Sequence, residues 1–298
     1  MRINLLVEYA IVKIEQTSNI HFFNSSTFLK AAYLLSIGHE LNLNNPHAFT
    51  EKIQWLKIFD KDPIYTSITD KYQVREYIRQ KIGEDYIIPL LGVWMSPKDV
   101  NLETLPQKVV FKCTHDCGSV VVYDKSQKNW KSIRKNLKRC LKRNFYYIGR
   151  EWAYKDILPR IIAEPYLEDS DGKLWDYKFF CFGGKAKFFK IDFDRFVCHR
   201  ANYYDIEGKY LDFGEEDYPR DPNRNITIPK ELPQMVKIAE RLSEGFRFLR
   251  VDMYNIDGVV KVGELSVYPG SGFLRYDPDE WDYKIGDMLA LPVDNSNY

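Results

Sequence analysis

The segment 250-RVDMYNIDGVVKVGELSVYPGSG-272 lies near the C-terminus of the chain. Two runs of β-prone residues flank Asp257-Gly258, a pair that is typical of a tight hairpin turn. Each run carries one carboxylate among its apolar residues, with Asp252 before the turn and Glu264 after it. Two explanations account for these acids: a solvated face of the hairpin, or a metal site.

The length of the turn decides which explanation can hold. If residues 256–258 form a three-residue loop, Asp252 and Glu264 become diagonal neighbours on one face, with their backbones about 7–8 Å apart. Both side chains can then reach one or two hard cations, which prefer oxygen ligands. A two-residue turn at Asp257-Gly258 would place the acids on opposite faces. The hairpin by itself leaves both explanations open.

The composition is typical of a soluble globular protein with two or three lobes. The chain has 298 residues, of which 45% are hydrophobic and 29% are charged. Its net charge of +1 provides no global attraction to nucleic acid or to a membrane. No apolar run reaches the roughly 18 residues of a membrane span. Five scattered cysteines fit reduced thiols better than a disulfide framework. We therefore expect a cytoplasmic protein without a nucleic-acid partner, and its oligomeric state stays open.

Changes in hydrophobic periodicity divide the chain into three regions. Residues 1–105 form a helical lead-in and an N-terminal lobe, in which Thr50 caps a helix that follows Pro46. Residues 106–163 contain strands on both sides of a polar loop and then a helix. Residues 164–298 contain further strands, another helix and the hairpin.

The helix of the middle region has two contrasting faces. Its apolar stripe consists of Ile133, Leu137, Cys140 and Leu141. The other face is basic and consists of Lys131, Arg134, Lys135, Lys138, Arg139, Lys142 and Arg143. Such a face is either solvated or a docking surface for a polyanionic substrate.

Two lysines lie inside runs that have the pattern of buried strands. Lys112 occurs in VVFKC and Lys178 in DYKFF, where a lysine needs an anionic partner. The loop after Lys112 contains His115, Asp116, Gly118 and Ser119, and its backbone N–H groups can fold over phosphates. Together with Asp252 and Glu264, these lysines provide the groups that hold Mg-ATP.

The stretch AEPYLED suggests a segment that binds the nucleoside. Its backbone between Pro165 and Leu167 can face the edge of adenine, with Glu164 or Glu168 near the amino group or the ribose. An edge strand interrupted by proline explains the same residues.

The sequence resembles the TupA-like (teichuronopeptide-biosynthesis-type) ATP-grasp family, whose members are often labelled glycosyltransferases or polysaccharide biosynthesis proteins. The matching stretches run in order from about Asn42 to Pro292. They are NLNNPHAFTEKIQWLK, TDKYQVREYI, IIPLLGVW, FKCTHDCGSVVVYDK, NFYYIGREWAYKDILPRIIAEPYLED, DYKFFCFGGK, RVDMYNIDG, GELSVYPGSGF and PDEWDYKIGDMLALP.

The resemblance implies an ATP-grasp fold of the α+β (mixed α/β) class. An N-terminal lobe, a small lid subdomain at 106–163 and a larger C-terminal lobe on antiparallel sheet would hold ATP between the last two. The residues implied to bind the phosphates are Lys112, Lys178 and the loop with His115, Asp116, Gly118 and Ser119. The implied nucleoside contacts are Glu164, Tyr166, Leu167 and Glu168. The implied Mg²⁺ ligands are Asp252, Glu264 and Ser266.

The family chemistry activates a carboxylate as an acyl phosphate, which an amine then attacks. Arg195, His199, Arg200 and Arg275 are candidates for holding the acyl phosphate or an acidic acceptor, because arginine grips such groups with two hydrogen bonds. Structural ion pairs are the alternative for each. The resemblance further implies a small-molecule or glycan substrate, with an amino acid joined to an acidic sugar of a bacterial surface polysaccharide.

Two features depart from the usual family pattern. The phosphate loop, HDCGS, is poor in glycine, and Ser266 stands where many ATP-grasp enzymes have asparagine. These departures put the metal affinity, or the number of bound metal ions, in question.

Three other functions are alternatives to a ligase. A glycosyltransferase would bind metal and a sugar nucleotide through the D-x-D sequence Asp192-Phe193-Asp194. A non-catalytic carbohydrate- or protein-binding module would use the abundant tyrosine and tryptophan, and has no need of paired acids with strand lysines. A kinase would use the same ATP site and transfer phosphate to a sugar hydroxyl.

Overall fold

The computed structural model describes residues 10, 12–14, 16, 22–127, 129–172, 174–194 and 198–292. The helices are α1 (Ser25–Ile37), α2 (Phe49–Phe59), α3 (Pro63–Thr69), α4 (Val74–Ile82), α5 (Trp130–Cys140), α6 (Tyr146–Gly149), α7 (Leu232–Ser243) and α8 (Glu280–Met288). The strands are β1 (Gly92–Trp94), β2 (Lys108–Cys113), β3 (Val121–Asp124), β4 (Ile161–Pro165), β5 (Asp176–Phe182), β6 (Lys185–Phe193), β7 (Arg200–Asp205), β8 (Tyr210–Leu211), β9 (Gly214–Glu215), β10 (Phe248–Ile256), β11 (Val259–Ser266) and β12 (Tyr276–Asp277).

The strands form a large and a small antiparallel sheet. The large sheet has six strands in the order β11-β10-β5-β6-β7-β8, and the small sheet has four in the order β1-β4-β2-β3. Strands β9 and β12 pair separately. We call the small sheet together with α5 the small lobe. This arrangement confirms the predicted α+β class, in which a small unit accompanies a larger one built on antiparallel sheet.

Helices cover both faces of the large sheet at its aromatic end. On one face, α7 packs its fully buried Met235 and Leu242 against the strands. On the other face, Phe188 contacts Phe213, which stacks on Trp281 of α8 with 3.9 Å between the ring centroids. This packing leaves the opposite end of that second face for polar side chains.

The small lobe has a separate hydrophobic core on one side of its sheet. Leu137 of α5 packs with Phe111 of β2, and both are fully buried. Because side chains alternate along a strand, Lys112 points away from α5. Glu164 lies directly opposite Val110 and therefore shares the face of Lys112. The predicted apolar stripe of α5 is confirmed, and the charged face of the sheet lies behind it.

The beginning of α2 differs from the prediction because a distant residue takes over the capping. Ala48 is the N-cap, and Thr50 lies inside the helix. The Asp282 carboxylate accepts hydrogen bonds from the Thr50 N–H at 2.9 Å and from its hydroxyl at 2.5 Å. Asp282 is 232 positions further along the chain, so the local sequence contains no sign of this cap.

Helix α8 passes so close to the beginning of α2 that only glycine fits at position 286. A Cβ atom added to Gly286 would lie 2.1 Å from the carbonyl oxygen of His47 and 2.9 Å from the Phe49 nitrogen. These backbone atoms cannot swing aside, so we expect Gly286→Ala to lower the free energy of unfolding by about 1–3 kcal/mol. Urea denaturation measures this change.

The control for this substitution is the exposed neighbour on the same helix. Asp287→Ala should change the free energy of unfolding by less than about 0.5 kcal/mol. In an unhindered helix, Gly→Ala stabilises by roughly 1 kcal/mol. A stabilised Gly286→Ala protein would therefore contradict the close packing of α8 on α2.

Candidate functional site

The hairpin of β10 and β11 closes with a two-residue turn. Ile256 pairs with Val259, and the turn residues Asp257 and Gly258 have φ values of 51° and 91°. Positive φ at both positions is the type I′ geometry, whose twist matches that of the strands. Of the two turn lengths considered, the hairpin therefore has the two-residue turn, which by itself would place the acids on opposite faces.

A β-bulge at Gly263 brings the two acids together in spite of this turn. The register shifts between Met253 and Asp252, and Asp252 pairs directly with Glu264, which leaves Gly263 without a pairing partner. One extra residue in β11 moves Glu264 to the other face of the hairpin. A Cβ atom at Gly263 would lie 2.7 Å from Cε2 of Tyr254, which explains why glycine occupies the bulge.

The two carboxylates begin a row of polar side chains across the large sheet. Each member lies directly opposite the next one on the neighbouring strand, so all of them point to one face. The row consists of Glu264, Asp252, Lys178, Lys190 and Tyr203.

Arg250 holds the Asp252 carboxylate from the same strand. It lies two residues before Asp252 and donates a hydrogen bond of 2.7 Å to each carboxylate oxygen. Burial raises the pKa of Asp252 to about 6, even though Arg250 and Lys178 favour the charged form. An additional cation beside Asp252 would therefore be stabilised. Arg250 was not among the predicted site residues, although its position at i−2 from an acid in a strand placed it on the same face.

Acids on the same strand, on a neighbouring strand and on β9 hold the two lysines of the row. Lys178 donates a hydrogen bond to Asp192 and lies 3.2 Å from the Asp176 carboxylate. Lys190 donates to both oxygens of Glu215, at 2.9 and 3.0 Å. Burial opposes the charge of Lys178, but the neighbouring carboxylates outweigh it and raise its pKa. Lys178 therefore keeps its positive charge although its side chain is buried.

The small lobe contributes a second cluster of charged side chains. Lys112 donates to one oxygen of the Glu164 carboxylate at 2.6 Å, and Arg75 of α4 donates to the other at 2.5 Å. All three side chains are at most 14% exposed. Glu164 thus fixes the position of Lys112 on the face of the small sheet that points away from α5.

The loop after β2 is fastened to the hairpin through Lys71. The Lys71 amine donates to the Asp116 carbonyl oxygen at 2.6 Å and lies 3.6 Å from the Glu264 carboxylate. Inside the loop, the Ser119 hydroxyl donates to the Asp116 carboxylate and accepts from the Cys113 N–H at 2.8 Å. The loop therefore keeps its shape through its own hydrogen bonds rather than through additional glycines.

Cations from both sheets converge on Glu264. Burial acts to raise the pKa of this carboxyl, but Lys71, Arg250, Lys178 and Lys112 together hold it below its ordinary value. Burial also opposes the charge of Lys71, but Glu264 together with Cys117 and Asp116 outweighs this effect, so that the pKa of Lys71 is raised. Two acids surrounded by cations form the charge pattern that suits a metal-bound polyphosphate.

A family model described as TupA-like ATPgrasp matches residues 51–290. The chain belongs to the TupA-like ATP-grasp family. This result confirms the resemblance drawn from the sequence and, with it, the ATP-grasp fold.

Solved structures with a related fold include two ligases. The D-alanine–D-alanine ligase from Bacillus anthracis, complexed with ATP, is 16% identical over 75% of this chain and 63% of the ligase, with a TM-score of 0.43. The L-amino acid ligase from Bacillus licheniformis is 14% identical over 84% of this chain and 57% of the ligase, with a TM-score of 0.46. The TupA-like chain thus spans less than two thirds of either ligase. A comparison with curated proteins finds no match. None of the helices in the described part of the chain has the length and apolar content needed to cross a membrane.

The predicted nucleotide residues of this TupA-like protein occupy different environments. His115 is buried, and its Nε2 atom lies 3.2 Å from the Cys140 carbonyl oxygen, so its ring faces the core of the small lobe. Gly118 is exposed and has a φ of 93°. Beyond β4, Tyr166 and Leu167 are half-buried and Glu168 is exposed. Their contacts with a nucleotide stay predictions.

The predicted anchor residues are spread over a wider area. His199 lies next to the polar row, with its Nε2 atom 3.6 Å from Asp192. Arg275 donates to the Ser36 carbonyl oxygen at 2.6 Å and is half-exposed. Arg195 lies outside the described residues. The structure therefore brings His199 close to the charged site, and the roles of all three residues stay predictions.

Asp192 and Asp194 lie in environments that do not suit a D-x-D metal pair. Asp192 is 1% exposed, and although burial opposes its charge, Lys190 and Lys178 hold its pKa well below the ordinary value. Asp194 has a φ of 52° and lies 3.2 Å from Arg224. Asp192 serves as the counter-ion of two buried lysines, and Asp194 forms a surface ion pair.

The residues at the hairpin fit a magnesium ion that arrives with a nucleotide. In the described part of the chain, no three His, Cys, Asp or Glu side chains cluster closely enough to hold a metal by themselves. Mg²⁺ commonly binds through one or two carboxylates and takes its other ligands from phosphate and water. Asp252 and Glu264 supply the carboxylates, and each Asp252 oxygen keeps lone-pair capacity beside its bond from Arg250. Ser266 lies opposite Arg250 on the same face.

Replacing Asp192 tests its role as a counter-ion. We expect Asp192→Asn to lower the free energy of unfolding by about 3–5 kcal/mol, because it removes a carboxylate that compensates two buried lysines at once. Chemical denaturation followed by circular dichroism measures the loss.

The matched control is the other acid of the D-x-D sequence. Asp194→Asn should change the free energy of unfolding by less than about 1 kcal/mol, as expected for a surface ion pair. Equal and small effects of the two substitutions would contradict the structural role of Asp192.

Proposed function

We propose that the protein is an ATP-dependent ligase that joins a carboxylate to an amine with release of ADP and phosphate. The observation that carries this proposal is the geometry of the polar row: Glu264 lies directly opposite Asp252, and Asp252 lies directly opposite Lys178. Arg250 donates to both oxygens of Asp252, and the Lys71 amine lies 3.6 Å from Glu264. Together with Lys112, these cations hold the pKa of Glu264 below its ordinary value. Buried cations around two acids match the charge of Mg-ATP, whose phosphates need cations and whose metal needs carboxylates. Membership in the ATP-grasp family supports the same assignment.

Each charged group has a distinct role in this proposal. Lys112 and Lys178 bind phosphate oxygens, and Lys71 fastens the loop that covers them. Asp252 and Glu264 hold the metal, with Ser266 as a third oxygen donor. A bound Mg²⁺ would neutralise charge that develops between the β- and γ-phosphates. Because the lysines are fixed by acids on neighbouring strands, little reorganisation accompanies nucleotide binding.

The nucleoside would extend from the phosphates along the end of β4. Glu164, Tyr166 and Leu167 are the groups assigned to adenine, and Glu168 is assigned to the ribose. Lys108 supports this segment because its amine lies 5.2 Å from the centroid of the Tyr166 ring. The nucleotide would then bridge the small lobe and the large sheet.

The reaction proceeds in two steps. A carboxylate oxygen of the first substrate attacks the γ-phosphorus of ATP, which forms an acyl phosphate and releases ADP. The amine nitrogen of the second substrate then attacks the acyl carbon, phosphate leaves, and the nitrogen loses a proton. We assign Arg250 to the charge that develops on the transferred phosphoryl group, because its guanidinium lies beside the metal acids. Arg195, His199 and Arg275 are assigned to the acidic substrate.

We further propose that the substrates are an amino acid and an acidic sugar of a bacterial surface polysaccharide or its precursor, joined in the cytoplasm where ATP is available. The resemblance of the sequence to the teichuronopeptide-biosynthesis type of protein supports this choice. Screening amino acids with acidic sugars for ADP release tests it.

Conservative removal of the metal acids should abolish metal-dependent nucleotide binding. We expect Asp252→Asn and Glu264→Gln each to weaken the binding of ATP in the presence of Mg²⁺ by about 100-fold or more, because each removes a charged oxygen ligand. Titration calorimetry with Mg²⁺ and with a chelator measures the effect.

The control is an acid on the surface of α8. Glu280→Gln, whose side chain is 62% exposed and pairs with Lys284, should bind Mg-ATP like the original protein. Unchanged Mg-ATP binding by Asp252→Asn would contradict the proposed metal site. Binding of a sugar nucleotide without binding of ATP would contradict the ligase assignment.

The bulge offers a separate test that leaves both metal acids intact. Gly263→Ala places a methyl group against the ring of Tyr254 and should shift Glu264 away from Asp252. We expect Mg-ATP affinity to fall by about tenfold, the magnitude found when a group that orients a metal ligand is lost. The double substitution Gly263→Ala with Tyr254→Ala removes the clash and should recover affinity. Full affinity in the single Gly263→Ala protein would contradict the role of the bulge.

A further inference from the structure

The charge of the chain is unevenly distributed around α5. Between Lys125 and Arg150 the sequence contains ten lysines and arginines and no aspartate or glutamate. The whole chain has a net charge of only +1, so this concentration is local.

The cations of α5 and of the turn that follows it form one exposed surface. Among the residues that the structure describes, none of these side chains pairs with a carboxylate. The exposed cations are Lys131, Arg134, Lys135, Lys138, Arg139, Lys142 and Arg143. Successive members at i and i+4 lie about 6 Å apart along the helix axis.

A groove runs between this surface and the loop that follows β1. It has a volume of about 220 Å³, and its cations are Lys98, Arg134, Lys138 and Lys142. The remaining lining residues are Ser96, Pro97 and Leu141, so that the groove combines apolar contacts with positive charge and contains no acid. We call it the basic groove.

Solvation alone does not account for the pattern. Solvated helix faces ordinarily mix both signs of charge, and like charges at i and i+4 destabilise a helix. Lys131 also lies in the first turn, where the helix dipole disfavours a cation. The repulsion between these cations and the unfavourable interaction with the helix dipole destabilise α5. Their concentration on one face in spite of this destabilisation points to an anionic partner.

We infer that the basic groove is a docking site for a linear anionic glycan. A sugar ring can place its C–H face on Pro97 and Leu141 while its carboxylate or phosphate groups meet the cations. The spacing of charges along α5 suits a polymer that presents an anion on successive units. Because α5 covers the face of the small sheet opposite to Lys112, this site is separate from the ATP site. The inference rests on the proposed function in one respect, since docking would bring an acidic polymer to the ligase.

Two other polyanions fit the groove less well. No aromatic side chain lines it, so nucleic-acid bases have no surface on which to stack. The apolar stripe of α5 is buried against Phe111 and therefore cannot enter a bilayer. A membrane would also meet a concave surface rather than a flat one.

Binding of polygalacturonate to the full chain tests this inference. Calorimetry without nucleotide should detect binding that weakens as salt is added, and neutral methyl-esterified polygalacturonate should not bind. Arg134→Glu with Lys138→Glu should weaken binding by on the order of tenfold or more, because it inverts the charge of the groove. The matched control, Lys187→Glu with Lys237→Glu, makes the same change of net charge at exposed positions of β6 and α7 and should bind like the original protein.

Several outcomes would overturn the inference. These are absence of polygalacturonate binding, equal weakening in both double variants, and tighter binding of single-stranded polydeoxythymidine or of vesicles that contain phosphatidylglycerol. Mg-ATP affinity is measured in the same samples, so that failure of the docking site and failure of the ligase proposal can be told apart. A groove variant that no longer binds the polymer but still binds Mg-ATP supports the inference. If the unsubstituted protein does not bind Mg-ATP, the ligase proposal is contradicted, whereas the result for the polymer is unaffected.

Discussion

The bulge at Gly263 is the constraint on which the charged site depends. A regular hairpin with a two-residue turn would direct Glu264 into the face that α7 covers, and Asp252 would stand without a second acid. The extra residue reverses the orientation of the end of β11, so that Glu264 and Ser266 join the face of Asp252 and Arg250. Glycine makes this possible because the ring of Tyr254 fills the space that a side chain would need.

The buried charges of the site are tolerated because each one has a partner of opposite charge within hydrogen-bonding or ion-pair distance. Isolated, a buried lysine or carboxylate would lose its charge or destabilise the fold. Lys178 is held by Asp176 and Asp192, and Lys112 is held by Glu164. Asp252 is the exception, since burial raises its pKa in spite of Arg250. The site therefore keeps its cations fixed and leaves one acid that a further cation would stabilise, which is the condition for binding a metal together with its nucleotide.

Much of the framework could be predicted from local patterns. Alternation of apolar and polar residues indicated the strands, and lysines within those runs marked Lys112 and Lys178 as residues that need anionic partners. The hairpin drew attention to Asp252 and Glu264, but their proximity does not come from the three-residue loop that the sequence left open. A turn of two residues was present, and the bulge replaced the effect of a longer loop. A glycine inside a strand, such as Gly263, often marks a bulge, and this is the local sign of the one in β11.

Contacts between distant parts of the chain could not be predicted in this way. Asp282 caps α2 from the other end of the sequence, and Arg75 reaches Glu164 from a helix of the N-terminal region. Lys71 links the loop after β2 to the hairpin, and nothing around it in the sequence distinguishes it from a surface lysine. The basic face of α5 was visible as a pattern, but the groove beside it depends on where Pro97 and Lys98 lie.

A structure of the full chain with Mg²⁺ and a non-hydrolysable ATP analogue would show where the metal and the phosphates bind. We predict a metal ion bound by carboxylate oxygens of Asp252 and Glu264, with Lys112 and Lys178 on the phosphates of the same nucleotide. A metal ion at Asp194, or a nucleotide bound away from the polar row with the Arg250–Asp252 pair undisturbed and no metal between the two acids, would contradict it.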